Sequence, residues 1–212
     1  MIFDKETSAK VAEFLLRIKA VEINVKEPFE WSSGIKSPIY CDNRKVLSFP
    51  KIRTFIRQSF SEAINENFGK PDIIAGVATG GIAPGALVAQ DLGLPFVYVR
   101  PEHKDHGKKN QIEGYIESGR SVVVLEDLIS TGSSGIAAVN AVKDAGCIVK
   151  GMVATFTYNL SEAQDNFKKE KCKLVTLTDY DILTKQAVKY NYINEKELKK
   201  LRSWTDSMEA VD

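Results

Sequence analysis

The segment that decides the fold is SVVVLEDLISTGSSG, residues 121–135. It starts with an apolar run, continues with the two acids Glu126 and Asp127, and ends in residues that are nearly all hydroxyl or glycine. An uninterrupted apolar run of this length is typical of a strand that is covered on both faces in a parallel sheet. We therefore predict a buried strand that ends at the two acids and is followed by a polar loop and a helix.

The surrounding sequence repeats this alternation of short apolar runs and helical patterns. Further strands are predicted at DIIAGV, PFVYVR, VKGMVATFTY and KLVTLTD, which are residues 72–77, 95–100, 149–158 and 173–179. Helices are predicted at residues 82–93, 133–146 and 161–171. This order predicts an α/β fold with a doubly wound, mostly parallel sheet flanked by helices.

The ends of the chain differ from this core, although we expect one structural domain overall. Residues 1–70 are predicted to form two helices, the first capped by Thr7 or Ser8, around PFEWSSGIKSPIYCDNR, residues 28–44, which we call the hood segment. Residues 71–180 form the predicted α/β core, and residues 181–212 two C-terminal helices.

Composition excludes several classes of function. The chain has 212 residues, of which 43% are apolar and 27% charged, as in soluble globular proteins. A net charge of +1 gives no reason to expect nucleic acid as a partner. Three scattered cysteines favour a reducing cytoplasm over a disulfide framework or a zinc site. Because MIFDKETSAK is charged from its fourth residue and no apolar run approaches a membrane span of about 20 residues, we expect a cytoplasmic protein without a membrane partner.

The polar residues of the deciding segment predict a ligand. Ligands of doubly wound sheets bind at the carboxyl ends of the strands, where amides, hydroxyls and a helix N-terminus can hold a phosphate. Carboxylates are good acceptors for vicinal sugar hydroxyls, so the segment predicts a ribose 5-phosphate. The predicted contacts are Glu126, Asp127, Leu128, Ile129, Ser130, Thr131, Gly132, Ser133 and Ser134. Taken singly, each residue also fits a solvated acid or a capped helix. The nucleotide motifs G-x-x-x-x-G-K-[ST] and G-x-G-x-x-G do not occur in the chain.

VVVLEDLISTGSS resembles the phosphoribosyl pyrophosphate (PRPP) motif of type I phosphoribosyltransferases, and two further motifs in matching order resemble the orotate phosphoribosyltransferase family. The resemblance covers roughly residues 10–204. It implies a pentosyltransferase that transfers the ribose 5-phosphate group of PRPP to orotate, giving orotidine 5′-monophosphate and pyrophosphate in de novo UMP biosynthesis. It also implies Mg²⁺, held mainly through PRPP, with no residue of the chain assigned as a metal ligand.

The second motif is RPEHKDHGKKNQIEG, residues 100–114, which we call the charged loop. A charge run of this kind is usually a solvated hairpin tip. Arg100, Lys104 and His106 are also suited to binding a pyrophosphate, with Gly107 and Gly114 as hinges of a mobile loop. The resemblance implies that Lys104 and Asp105 are catalytic. It also implies a homodimer in which this loop reaches the site of the neighbouring subunit.

The third motif lies in the hood segment, where the resemblance implies orotate contacts at Tyr40 and Cys41, joined by Ser130 and Tyr158. Many members of the family carry an arginine at the position of Tyr158. The glycine-rich turn GVATGGIAPG, residues 76–85, corresponds to the family's pyrophosphate loop, with contacts expected at Thr79, Gly80 and Gly81.

Two other functions remain compatible with the PRPP motif. One is a phosphoribosyltransferase for another base, such as a purine; the hood segment argues against it. The other is a non-catalytic regulator that senses PRPP, which would need a nucleic-acid-binding appendage or a basic face. The net charge of +1 and the lack of a spare domain argue against the regulator.

Overall fold

The computed structural model describes residues 1–30, 36–101 and 111–209, the last five without their side chains. The N-terminal part contains helix α1 (Lys5–Arg17), strands β1 (Val21–Ile23), β2 (Phe29–Glu30), β3 (Lys36–Ser37) and β4 (Ile39–Cys41), a 3-10 helix (Asn43–Ser48) and helix α2 (Pro50–Phe68). The short strands form two antiparallel pairs, β1 with β4 and β2 with β3.

Helix α1 begins earlier than the sequence predicts. Asp4 is its N-cap, with extended backbone angles, and its Oδ2 accepts a 2.6 Å hydrogen bond from the amide of Thr7. The prediction of Thr7 or Ser8 as the cap is therefore wrong. Thr7 is the third helical residue, whose amide the cap satisfies.

Six strands form the central sheet, in the order β10-β9-β8-β5-β6-β7. They are β5 (Ile73–Val77), β6 (Phe96–Val99), β7 (Ile112–Glu113), β8 (Ser121–Ile129), β9 (Ile148–Thr157) and β10 (Leu174–Asp179). All neighbours run parallel except β7, which pairs antiparallel with β6 at one edge. The predicted mostly parallel sheet is confirmed.

Helices cover both faces of this sheet. They are α3 (Ile82–Leu92), α4 (Ser133–Asp144), α5 (Ser161–Lys169), α6 (Tyr180–Lys189) and α7 (Glu195–Glu209). Val123 and Leu125 of β8 belong to a core shared with α1, α2, α3, α6 and α7, whereas Val122 and Val124 belong to a second core with α4 and α5. Alternate residues of one strand thus enter two cores, as a doubly wound sheet requires.

Strand β8 extends past the point where the sequence ends it. Its pairing with β5 stops at Leu125, but its pairing with β9 continues to Ile129 opposite Thr157. Glu126 and Asp127 therefore lie inside the strand, because β9 continues to bind its backbone. Residues 126–129 project beyond the last residue that pairs with β5.

Within the residues that the structure describes, no helix is both long enough and apolar enough to cross a membrane.

Candidate functional site

The sheet changes its direction of winding between β5 and β8. From β5 the chain moves to β6 on one side, and it returns through β8, β9 and β10 on the other. Doubly wound sheets bind ligands at the carboxyl ends of the strands beside this point. The glycine-rich turn after β5, Arg100 after β6 and residues 126–134 at the end of β8 all lie at this edge.

Of the two acids on the projecting end of β8, Glu126 is buried and Asp127 is half-buried. Glu126 is 5% exposed, and its carboxyl oxygens accept two long hydrogen bonds, 3.4 Å from the amide of Asp127 and 3.5 Å from the hydroxyl of Ser134. Burial, followed by the charge of Asp127, raises the pKa of Glu126 well above its usual range. Burial also raises the pKa of Asp127. Buried acceptors with such weak donors are poised to receive hydrogen bonds from a ligand.

The glycine-rich turn lies directly against these acids. A Cβ on Gly81 would stand 2.5 Å from the carbonyl oxygen of Leu125 and 2.8 Å from the amide nitrogen of Val77, which are both backbone atoms. A Cβ on Gly80 would collide with the Asp127 carboxyl group. Only glycine therefore lets this turn approach the end of β8, and exposed Thr79 stands on its outer side.

The hydroxyl loop, residues 130–134, leads from β8 into α4. Gly132 has φ of +80°, and a Cβ there would also lie 2.8 Å from the ring of Phe167. The hydroxyls of Thr131 and Ser133 lie 3.0 Å apart, and Asn166 donates a 3.0 Å hydrogen bond to the Thr131 carbonyl. The first amides of α4 have no acceptor within the helix, so the loop and the positive helix end form a cradle for an anion.

Leu128 and Ile129 belong to this predicted set but face the interior. Leu128 packs on one hydrophobic core, and Ile129 is 1% exposed in the other. Their side chains fix the position of the strand, and its backbone is paired with β9 up to Ile129, so contacts of these two residues with a ligand remain a prediction. Ser130 follows them and is half-buried.

Arg100 stands at the end of β6 with part of its charge already paired. Its Nη1 lies 3.5 Å from Oε1 of Glu113, and about a third of its side chain is exposed. Its amide donates a 2.9 Å hydrogen bond to the carbonyl of Gln111. Lys104, Asp105 and His106, which complete the predicted set of the charged loop, lie outside the described residues.

Asn43 joins the hood segment to the end of β8, a role that the sequence analysis missed. Its Nδ2 donates a 2.7 Å hydrogen bond to the Asp127 carbonyl, and its Oδ1 accepts a 3.4 Å bond from the Cys41 thiol. Burial, followed by the charge of Asp127, raises the pKa of that thiol well above its usual range. In the sequence Asn43 is one polar residue among the charged residues Asp42, Arg44 and Lys45, and nothing in that pattern indicates its partner. Tyr40 is 38% exposed, with its ring 5.7 Å from that of Phe29.

Tyr158, at the end of β9, is a core residue. It is 2% exposed, and its ring lies edge-on to Phe156 at 5.1 Å and 6.4 Å from Tyr180. Burial raises its pKa above the usual range. This conformation leaves almost no ring surface for a ligand, so direct contact with orotate remains a prediction.

A metal ion would find few ligands here. Across residues 1–30, 36–101 and 111–209, no group of three or more His, Cys, Asp or Glu side chains is arranged to hold an ion. Glu126 and Asp127 supply hard carboxylate oxygens of the kind that Mg²⁺ accepts together with substrate phosphates. The chemistry of this site therefore fits an ion that is carried mainly by a phosphate ligand.

Comparisons with known proteins agree with this geometry. The model of the phosphoribosyl transferase domain matches residues 45–190. The chain is 50% identical to an orotate phosphoribosyltransferase of Porphyromonas gingivalis over 94% of its length and 95% of the relative's. It is 53% identical to one of Phocaeicola vulgatus over 91% of each chain. Among solved structures, an orotate phosphoribosyltransferase of Aeropyrum pernix superposes with a TM-score of 0.75, at 27% identity, over 87% of this chain and 99% of that one.

Proposed function

The chain belongs to the orotate phosphoribosyltransferase family, and we propose that its site transfers the ribose 5-phosphate group of PRPP to orotate. The products are orotidine 5′-monophosphate and pyrophosphate, in de novo UMP biosynthesis. The observation that carries this proposal is the pair of acids on β8, buried Glu126 and half-buried Asp127, flanked by a glycine turn on one side and the hydroxyl loop on the other.

In this proposal PRPP binds across the carboxyl ends of β5 and β8. The ribose hydroxyls donate to the carboxyl oxygens of Asp127 and Glu126. The 5′-phosphate binds the hydroxyl loop and the first amides of α4. The pyrophosphate binds the backbone amides of Thr79, Gly80 and Gly81, with Arg100 as a cation.

Orotate binds between the hood segment and the hydroxyl loop. Tyr40, Cys41 and Ser130 supply its contacts, and the hydrogen bond from Asn43 to the Asp127 carbonyl supports the short distance between the two segments. Residues 1–70 then act as a cover over the α/β core of residues 71–180, and residues 181–212 as C-terminal support. Tyr158 contributes through its place in the core at the end of β9.

The chemistry follows from the charges of the reaction. As the bond between C1′ and pyrophosphate breaks, the sugar becomes cationic and the leaving group gains negative charge, while the pyrimidine nitrogen attacks from the opposite face. Cations and amides fixed around the leaving group stabilise this transition state. We assign that task to Lys104, with Arg100 and His106 as anchors, and a positioning or proton-transfer role to Asp105. Mg²⁺, carried mainly by PRPP, would neutralise pyrophosphate charge.

We further propose a cytoplasmic homodimer in which the charged loop completes the partner subunit's site. All three cysteines are free thiols and buried, the form expected in a reducing compartment.

A spectrophotometric assay of orotate consumption with PRPP and Mg²⁺ tests the main proposal. Uracil, adenine and hypoxanthine are run beside orotate at equal concentrations. Consumption of orotate alone is expected. Turnover of a purine would favour the phosphoribosyltransferase for another base, and PRPP binding without turnover of any base would favour the regulator.

Mixed dimers test the shared loop. Lys104→Ala and Asp127→Ala subunits are each expected to be inactive as homodimers. After subunit exchange, about a quarter of the parental activity should return, because half of the randomly formed dimers carry one intact site out of two. A labelled subunit monitors the exchange. If exchange is complete and no activity returns, each loop serves its own subunit.

A further inference from the structure

A directional contact joins the C-terminal helix to the described part of the hood segment. The indole Nε1 of Trp204, on α7, donates a 3.0 Å hydrogen bond to the backbone carbonyl of Lys36, on β3. The two residues are 168 positions apart in the chain. A backbone carbonyl accepts this bond, so the contact determines where β3 lies whatever side chain it carries.

The donor is held firmly on its own side. Leu201, one turn before Trp204, is completely buried, and its carbonyl accepts a 3.0 Å hydrogen bond from the hydroxyl of Tyr180. The Trp204 ring lies 6.3 Å from the Tyr180 ring at an angle of 38°. Tyr180 is itself 3% exposed in the core at the start of α6. Its surroundings therefore fix the direction of the indole N–H.

The acceptor begins the stretch that contains the proposed pyrimidine contacts. Ser37, the next residue, is fully buried, and its hydroxyl donates a 2.7 Å hydrogen bond to the carbonyl of Ile39. At the other end of this stretch, Asn43 is bound to the Asp127 carbonyl. Residues 36–43 are thus fixed at both ends, by α7 and by β8, with Tyr40 and Cys41 between the two points.

We propose that Trp204 is a positioning residue for the pyrimidine substrate. It holds the Lys36 end of this stretch so that the backbone groups of Tyr40 and Cys41 reach the pyrimidine ring, and it does not contact the substrate. The inference rests on the proposed function, because it assigns the role of the hood segment in orotate recognition. PRPP, which is bound by β8 and the glycine-rich turn, should hardly be affected.

Trp204→Phe tests this, since it keeps an aromatic ring on Tyr180 and removes the N–H donor. One such hydrogen bond corresponds to roughly a two- to tenfold effect on a binding constant. We therefore expect the KM for orotate to rise by about that factor, while kcat and the KM for PRPP stay within about twofold. Leu198→Ala is the matched control. It removes packing of the same helix at a residue that is 7% exposed, and leaves the donor in place. It should lower the melting temperature without changing the KM for orotate.

Backbone hydrogen exchange gives a readout that is independent of turnover. Peptides covering residues 36–41 should exchange faster in Trp204→Phe, but those covering β8 should not. Unchanged exchange at residues 36–41, or an equal rise of both KM values, would overturn the inference. Faster exchange without a change in the KM for orotate would also overturn it. A parental enzyme that does not consume orotate overturns the proposed function instead, and exchange then decides the coupling between α7 and β3 by itself.

Discussion

The same types of residue stand at the two ends of strand β8 in opposite states. Beside its start, Ser121 donates hydrogen bonds of 2.7 Å from its amide and 2.6 Å from its hydroxyl to Asp72, which precedes β5, and these bonds lower the pKa of that acid. Both residues stand near the surface, Asp72 exposed and Ser121 half-buried. At its end, Glu126 is buried and Asp127 is half-buried, and burial raises the pKa of both.

In the proposed function, this difference lets one strand serve structure at one end and a ligand at the other. Asp72 accepts hydrogen bonds from Ser121 on the neighbouring strand. It therefore joins the starts of β5 and β8 without a ligand. The acids at the carboxyl end are held away from water with only weak donors, which is unfavourable until a ligand supplies hydroxyls. The same residue types are therefore informative only together with their burial and partners.

The largest effect is expected from a substitution in the glycine-rich turn, at the point where it packs against the end of β8. Gly81→Ala places a Cβ against backbone atoms of Leu125 and Val77, which cannot rotate away. We expect kcat/KM to fall at least about a hundredfold, because misplacing reacting groups by about 1 Å has effects of that size. Overpacking should also destabilise the fold by about 1–3 kcal/mol. Steady-state kinetics and thermal unfolding measure the two effects.

Gly80→Ala is the matched control, because its new Cβ meets only the Asp127 carboxyl, which can turn aside. It should weaken PRPP binding with little loss of stability. If Gly81→Ala behaves like the parent, the close approach of turn and strand is not required.

A smaller effect is expected from changing one acceptor at the ligand end. Asp127→Asn removes a charged acceptor for a ribose hydroxyl, a bond of about 1.5–3 kcal/mol. PRPP binding should weaken by roughly ten- to hundredfold. A variant with Thr131 and Ser133 replaced by alanine should instead lose the 5′-phosphate. Competition by inorganic phosphate and by ribose 5-phosphate distinguishes the two variants. Asp127→Asn should keep its affinity for inorganic phosphate and lose affinity for ribose 5-phosphate, whereas the double variant should lose affinity for both competitors. If Asp127→Asn binds PRPP as tightly as the parent does, the acid at the carboxyl end of β8 does not bind the ligand, and the contrast between the two ends is wrong.

The smallest effect, on stability, should have opposite signs at the two ends. Glu126 has a raised pKa in the folded state, so the folded protein loses stability as the pH rises from about 4.3, the ordinary value, through that raised pKa. Glu126→Gln should therefore unfold at a higher temperature than the parent at pH 8, by a few degrees, and this gain should vanish near pH 4. One kcal/mol corresponds to about 2–4 °C in a protein of this size.

Asp72 supplies the opposite case, because its pKa is lowered in the folded state. Its contribution is present above about pH 3.9, the ordinary value, and is lost as the pH falls through the lowered pKa. Asp72→Asn should thus be slightly less stable than the parent at pH 8, with activity within about twofold. Melting curves with the same sign for both variants would contradict the comparison.

Much of the site could be predicted because it depends on local sequence. The glycine-rich turn and the hydroxyl loop follow strands that are neighbours in the sheet, and the two acids stand near the end of one of them, so the parallel order brings all three to one edge. The extension of β8 to Ile129 could not be predicted, because β9 supplies its hydrogen bonds. Asn43 was missed for a similar reason, since its partner lies 84 residues away. For Tyr158, the sequence predicts the position at the end of a strand. Its burial could not be predicted, because it depends on the packing of its ring against Phe156 and Tyr180.

The three buried thiols can report on local opening of the structure. Cys41 lies in the hood segment, Cys147 precedes β9, and Cys172 lies between α5 and β10, each at most 9% exposed. A thiol reagent can modify each one only when its surroundings open, so three labelling rates measure three local openings in one sample. A ligand that stabilises the hood segment would slow the labelling of Cys41. The labelling rates of Cys147 and Cys172 would stay unchanged and serve as internal references.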